Sequence, residues 1–214
     1  QQLFLDVYKT KSEFLDQDYL RKKRLIPNFI NKKELPQNLV IKSTRFHNLT
    51  PSILEQNPSI KFIHLVRHPC ATIYSWLTNE NEFPKKKDPI KEWRNGQCRK
   101  NGPGEFWGFE DWKTVNIQAL RLAELYPNRF KVLRYEDLTL NTKVCTKELF
   151  DYLSIEYEKQ TDDFITLSHS KHDKNKRSVF KKPEINEDWM TSLDPSIISA
   201  CLNETSGTEL EQFL

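Results

Sequence analysis

The sequence predicts an α/β fold with a central, mainly parallel sheet flanked by helices. Three observations predict it. Short apolar runs occur at 38–44 (NLVIKST), 61–67 (KFIHLVR) and 129–135 (RFKVLRY). Each is followed by a segment with helical periodicity, and those segments are suited to serve as right-handed crossovers between parallel strands. In such a sheet, ligands bind where the carboxyl ends of strands pass into helices.

Residues 1–35 are highly charged, and Leu3, Leu5, Val7, Phe14, Leu15, Tyr19 and Leu20 fit one or two amphipathic helices. Pro27 and Pro36 bracket a polar connector. In the run 38–44, Leu39, Val40 and Ile41 are continuous, which reads as a buried strand. Lys42 breaks that run. An unpaired ammonium in a core costs several kcal/mol, so Lys42 is expected to emerge at the sheet edge. Thr50 and Pro51 start a helix through PSILEQN, and Pro58-Ser59 ends it.

The stretch 61–77, KFIHLVRHPCATIYSWL, is the most informative. It reads as a strand over 62–66, then Arg67, then a helix whose first turn contains Pro69, where a missing N–H costs nothing. The free N–H groups of a helix start favour an anion. Arg67 adds a planar fork of donors suited to a phosphate, and Ser75 can lend a hydroxyl.

Beyond residue 77 the chain turns polar, and 79–108 carries Lys85-Lys86-Lys87 and four of the five glycines (Gly96, Gly102, Gly104, Gly108, with Gly207 elsewhere). This reads as a long loop beside the site, able to select an acceptor. Trp93, Arg94, Arg99, Lys100 and Trp107 offer the mixture of aromatic faces and cations common in carbohydrate recognition, unless the aromatics pack inward. Residues 111–126 give the clearest helix, with Trp112, Val115, Ala119, Leu122 and Leu125 on one face. After the strand at 129–135, the string RYEDL reads first as structural, with Arg134, Glu136 and Asp137 capping and pairing around a strand end. Helices are expected at 142–153, 158–167 and 194–202. Between the last two, 169–182 (HSKHDKNKRSVFKK) is the most basic segment, read either as a solvated face or as a loop over an anion.

Composition narrows the function classes. At 214 residues the chain suits one domain, 1–214. A net charge of +3 with 29% charged residues is too mild for a nucleic-acid binder. No Gly-rich phosphate loop can be built before residue 96, which removes Walker A and dinucleotide fingerprints. No apolar stretch approaches the roughly 18 residues of a membrane span. Four cysteines (Cys70, Cys98, Cys145, Cys201) allow three complete pairings, and no Cys/His spacing suggests a metal. Sequons stand at Asn48-Leu49-Thr50 and Asn203-Glu204-Thr205.

The string LVRHPCATIYS resembles the 3′-phosphate-binding motif of sulfotransferases that use 3′-phosphoadenosine 5′-phosphosulfate (PAPS), Val-Arg-Asp-Pro-Arg followed by a Ser. Arg67 and Ser75 stand at the family's Arg and Ser, while His68 replaces the usual Asp and Cys70 the usual second Arg. VIKSTRF resembles the family's strand followed by Lys-Thr, which puts Lys42 at the Lys beside the transferred sulfonate. The catalytic His of the cytosolic branch is replaced by Thr44. RYEDL and the Cys-bearing DPSIISACL are similar to strings in Golgi carbohydrate sulfotransferases.

The resemblance implies a P-loop-like three-layer sandwich and transfer of a sulfonate from PAPS, without a metal, to a hydroxyl or amine on a glycan or glycoconjugate acceptor. It assigns charge stabilisation to Lys42 and nucleotide binding to Arg67 and Ser75, with Lys176 and Arg177 of the basic segment contacting the 3′-phosphate. It also implies an upstream phosphosulfate loop absent from this sequence, so the domain is expected to be N-terminally incomplete. A Golgi-luminal location follows, as part of a type II membrane protein anchored outside this chain, with the cysteines at least partly oxidised. A non-catalytic nucleotide- or glycan-binding homologue and a P-loop nucleotide kinase relative remain the alternatives.

Overall fold

The computed structural model describes residues 5–6, 9–10, 12, 17–27, 38–175 and 178–214. In chain order its regular elements are α1 (Asp18–Lys22), α2 (Thr50–Gln56), β1 (Phe62–Val66), α3 (Pro69–Leu77), α4 (Pro89–Glu92), α5 (Phe109–Leu125), β2 (Phe130–Arg134), α6 (Tyr135–Leu140), α7 (Thr142–Leu153), α8 (Lys159–Ser170), α9 (Trp189–Ser192) and α10 (Pro195–Thr205). The chain divides into two compact units, residues 1–42 with 142–184, and residues 43–141 with 185–214.

The first unit is helical among its described residues. Leu20 of α1, Cys145 of α7 and Ile165 of α8 are buried, as is Phe180. Lys143 and Asp162 join α7 to α8 across 2.6 Å, and the Val179 N–H donates to the Leu25 carbonyl at 3.0 Å. Most of the helices expected within 1–35 fall outside the described residues.

The second unit holds the sheet. β1 and β2 pair in parallel, Phe62 opposite Phe130 through Val66 opposite Arg134. Parallel neighbours need a long connection, and here α3, the segment 79–108 and α5 supply it. β1 alternates. Phe62, His64 and Val66 face one side, where Phe62 stacks on Phe130, whereas Ile63 and Leu65 are exposed. The main core gathers Val66, Cys70, Ile73, Phe109, Trp112, Ile197, Cys201 and Phe213, with Phe109 lying between the Trp93 and Trp112 rings. A second cluster joins Leu54 of α2 to Ala119, Leu122 and Phe130.

Two expectations need correction. The strand expected over 38–44 does not form: the segment has no regular structure, and Val40 and Ile41 are 79% and 74% exposed. A continuous apolar run becomes a strand only when a neighbour takes its backbone hydrogen bonds, and no such neighbour is present among the described residues. The α5 face is also displaced. Leu125 is 71% exposed, while Asn116, absent from the predicted stripe, is buried because His64 Nε2 and the Trp112 carbonyl use both ends of its amide.

In 79–108 the sequence left two arrangements of the aromatics open. Trp93 is buried, Arg94 pairs with Glu110 and bidentately with Glu204, Lys100 pairs with Asp111, and Arg99 lies over the Trp107 ring. Gly96 (φ 59°) and Gly108 (φ 88°) permit this packing, since a Cβ on Gly96 would collide with Trp107 and one on Gly108 with the Arg94 carbonyl. The aromatics pack inward, and Arg94 and Lys100 pair with carboxylates outside the segment, Glu110, Glu204 and Asp111.

Candidate active site at the carboxyl end of the sheet

Arg67 follows the last residue of β1 and His68 caps α3, so the strand turns into the helix within two residues. Pro69 fixes the first helical φ and lacks the N–H that would go unsatisfied there. The turn is held from three directions. Trp112 Nε1 of α5 donates to the Arg67 carbonyl at 3.1 Å. The His68 N–H donates to Glu136 Oε1 of α6 at 3.0 Å. The His68 ring stacks on Trp189 of α9, centroids 4.5 Å apart. Thr72 Oγ1 adds a local bond to the Arg67 carbonyl at 3.3 Å.

The strand register explains the placement of the Arg67 side chain. Because Val66 pairs with Arg134, the next residues on each strand, Arg67 and Tyr135, stand side by side at the carboxyl edge. The guanidinium lies over the Tyr135 ring, 4.9 Å from its centroid. Stacking on the phenol restrains the planar cation while leaving its N–H edges available for an oxyanion. Ser75 lies exposed on α3. A half-buried cation, the N-terminus of a nine-residue helix and a hydroxyl on that helix form an arrangement suited to a phosphate.

The sequence matches the sulfotransferase domain family over residues 1–201. The chain belongs to the sulfotransferase family. A crystal structure of the mouse sulfotransferase SULT7A1 complexed with PAP has the same fold, with a TM-score of 0.51 and 13% identity, covering 78% of this chain and 65% of that one. The chain thus spans 65% of the length of that structure. A search of curated proteins found no match.

In this sulfotransferase domain the sequence-predicted site residues divide into three groups. Arg67 and Ser75 share one strand–turn–helix element of the second unit. Lys42 is exposed, belongs to the first unit, and stands on the unformed strand rather than at a strand end. Lys176 and Arg177 lie outside the described residues. Sequence reasoning missed the part played by Tyr135 as the shelf beneath Arg67. It did anticipate a capping role for Glu136, whose partner is the backbone N–H of His68 in the strand–helix turn. The signal for both was the string RYEDL, read at the end of a strand parallel to β1.

Two further histidines lie in the same unit. His64 donates from Nε2 to Asn116 Oδ1 at 2.8 Å, a tautomer fixed by Asn116 donating its NH2 to the Trp112 carbonyl. Burial lowers the pKa of His64 below the ordinary 6.5, opposed by the Asn116 hydrogen bond. His47, edge-on to His64 with centroids 6.2 Å apart, is lowered by burial and then by His64. Both rings are therefore neutral at pH 7. Among the described residues, no group of three or more His, Cys, Asp or Glu side chains is placed to hold a metal ion, and no helix is long and apolar enough to cross a membrane.

Proposed function

We propose that this protein transfers the sulfonate group of PAPS to a hydroxyl or amine of a carbohydrate acceptor. The observation that carries the reading is Arg67, restrained on Tyr135 at the carboxyl end of β1, one residue ahead of the α3 cap. Arg67 and Ser75 bind the 3′-phosphate, and Lys176 and Arg177 of the basic segment reinforce that contact. The reaction is an in-line displacement at sulfur. The acceptor oxygen or nitrogen forms a bond to sulfur as the bond to the 5′-phosphate oxygen breaks, and adenosine 3′,5′-bisphosphate leaves. Negative charge grows on that phosphate, and Lys42 is assigned to balance it. The acceptor gives up its proton to a base.

A carbohydrate acceptor and a Golgi-luminal location, in a type II membrane protein whose anchor lies outside this chain, rest on the likeness of RYEDL and DPSIISACL to Golgi carbohydrate enzymes. The exposure of Asn48 and Asn203, the two sequon asparagines, is compatible with that compartment. Isotopically labelled PAPS incubated with the full-length protein and a panel of glycans tests the proposal. Labelled sulfonate on a sugar is the expected result. Nucleotide binding without transfer to any acceptor would make the protein a non-catalytic homologue, and phosphate transfer from ATP would make it a kinase relative.

A further inference from the structure

The motif resemblance leaves one position unexplained, Cys70, where the family carries a second Arg. In the structure Cys70 does not face the anion side of the turn. It lies in the first turn of α3 at 0% exposure, within the cluster that also contains Cys201 of α10, likewise at 0%. α3 and α10 pack against each other. Both thiols belong to one buried cluster with Ile73, Ile197 and Phe213, near enough for each to shift the acidity of the other. All four cysteines are thiols in this structure.

A single buried thiol is an ordinary small hydrophobe. Two that meet across a helix–helix contact, from positions 70 and 201, are placed to cross-link the strand–helix turn to the C-terminal helix. We propose that Cys70 and Cys201 form a disulfide when the chain folds in an oxidising compartment, fastening the phosphate-binding turn to α10. Cys98 and Cys145 remain thiols. Cys98 lies in the 79–108 segment, where burial and then Glu92 push its thiol up and make it a poor nucleophile.

The chemistry is thiol–disulfide exchange with a small-molecule or protein disulfide as oxidant. The Cys70 thiolate attacks one sulfur of the oxidant, and that disulfide opens to release one thiolate. Cys201 then loses its proton and attacks the Cys70 sulfur of the mixed disulfide, releasing the second thiolate. Two protons leave the protein and two electrons pass to the oxidant, which ends as two thiols. The same balance holds if Cys201 attacks first. Since neither sulfur is accessible in the folded unit, exchange precedes closure of the core.

The bond closes a loop of about 130 residues, long enough for the cross-link to restrict the unfolded chain substantially. The test is a peptide map of the full-length protein purified from secreting cells, denatured with an alkylating agent and digested without reduction. The expected result is one cross-linked peptide pair joining Cys70 to Cys201, with Cys98 and Cys145 alkylated. Recovery of all four as alkylated thiols, or Cys70 joined to another cysteine, overturns the proposal, and neither needs a variant that folds. Reductant should also lower the melting temperature of the wild type by roughly 5–15 °C and leave that of a Cys70→Ala/Cys201→Ala variant unchanged. Equal shifts in the two would place the sensitive bond elsewhere. Nucleotide binding plays no part in either readout, so the cross-link stands or falls apart from the function of Arg67.

Discussion

The segments 38–44 and 61–67 look alike as sequence, each a run of aliphatic residues ended by a basic side chain, yet only the second becomes a strand. FIHLV pairs along its length with Phe130–Arg134, sets Phe62, His64 and Val66 against α5 and its neighbours, and passes directly into a Pro-initiated helix. NLVIKST finds no ladder partner among the described residues and leaves Val40 and Ile41 in solvent. The contrast teaches that an apolar run states what a segment could bury. Whether it does so depends on a neighbour that may be supplied from a distance in sequence, as β2 is supplied to β1 by a connection of more than 60 residues.

The comparison can be sharpened by truncating an isoleucine in each region. Ile73 of α3 is 1% exposed in the main core, and Ile73→Ala should cost about 2–5 kcal/mol in denaturant unfolding. A cost under about 0.5 kcal/mol would break the account of a core organised behind the β1 turn. A smaller effect is expected where Glu136 caps that turn. Glu136→Ala leaves the His68 N–H without its partner, which should cost roughly 1 kcal/mol and loosen the seat of Arg67. Unchanged stability together with unchanged nucleotide affinity would remove Glu136 from the support of the site.

Acid titration probes the same region. The unfolded chain takes up protons at its histidines near 6.5, whereas burial keeps His64 and His47 neutral to lower pH in the folded protein. The stability they contribute is therefore present above about 6.5 and is lost as pH falls through their lowered values. The melting temperature should drop between pH 7.5 and 5, and His64→Gln should flatten that slope while leaving the part of the His47 share that comes from burial. A slope identical to wild type would contradict the assignment. The smallest effect belongs to the other region: Ile41→Ala, at a position 74% exposed, should change stability by less than about 0.5 kcal/mol. A loss of several kcal/mol there would mean that the segment is buried in solution.

What was legible in the sequence was local. The helix expected at 142–153 appears with those bounds as Thr142–Leu153, the strand expected at 129–135 appears as Phe130–Arg134, and the strand at 62–66 and the Pro69 start of α3 were likewise marked by side-chain period or proline chemistry. What was not legible depended on distant partners. Asn116 could be buried only because His64, 52 residues away, engages its amide. Leu125 reads as a core residue by spacing and is exposed because the last turn of α5 has no partner for it in the core clusters. The aromatic and basic residues of 79–108 carried a recognisable composition, but their ion pairs reach Glu110 and Glu204, and no pattern in the loop itself announces those contacts. Within the candidate site, Arg67 and Ser75 were singled out by the strand–helix pattern together with the motif resemblance, and they share one strand–turn–helix element, whereas Tyr135 required the parallel register that sets it beside Arg67.

The central claim is that Arg67 reads the 3′-phosphate of the nucleotide, and calorimetry on the full-length protein tests it most directly. Arg67→Ala should weaken binding of adenosine 3′,5′-bisphosphate by roughly tenfold or more, because a charge-assisted contact exceeds the roughly 1 kcal/mol of a neutral hydrogen bond and each 1.4 kcal/mol is a decade in affinity. Adenosine 5′-phosphate, which lacks the contacted group, should bind wild type and variant almost equally. An equal loss for the two nucleotides would contradict the account and reduce Arg67 to a support of the turn in which it stands.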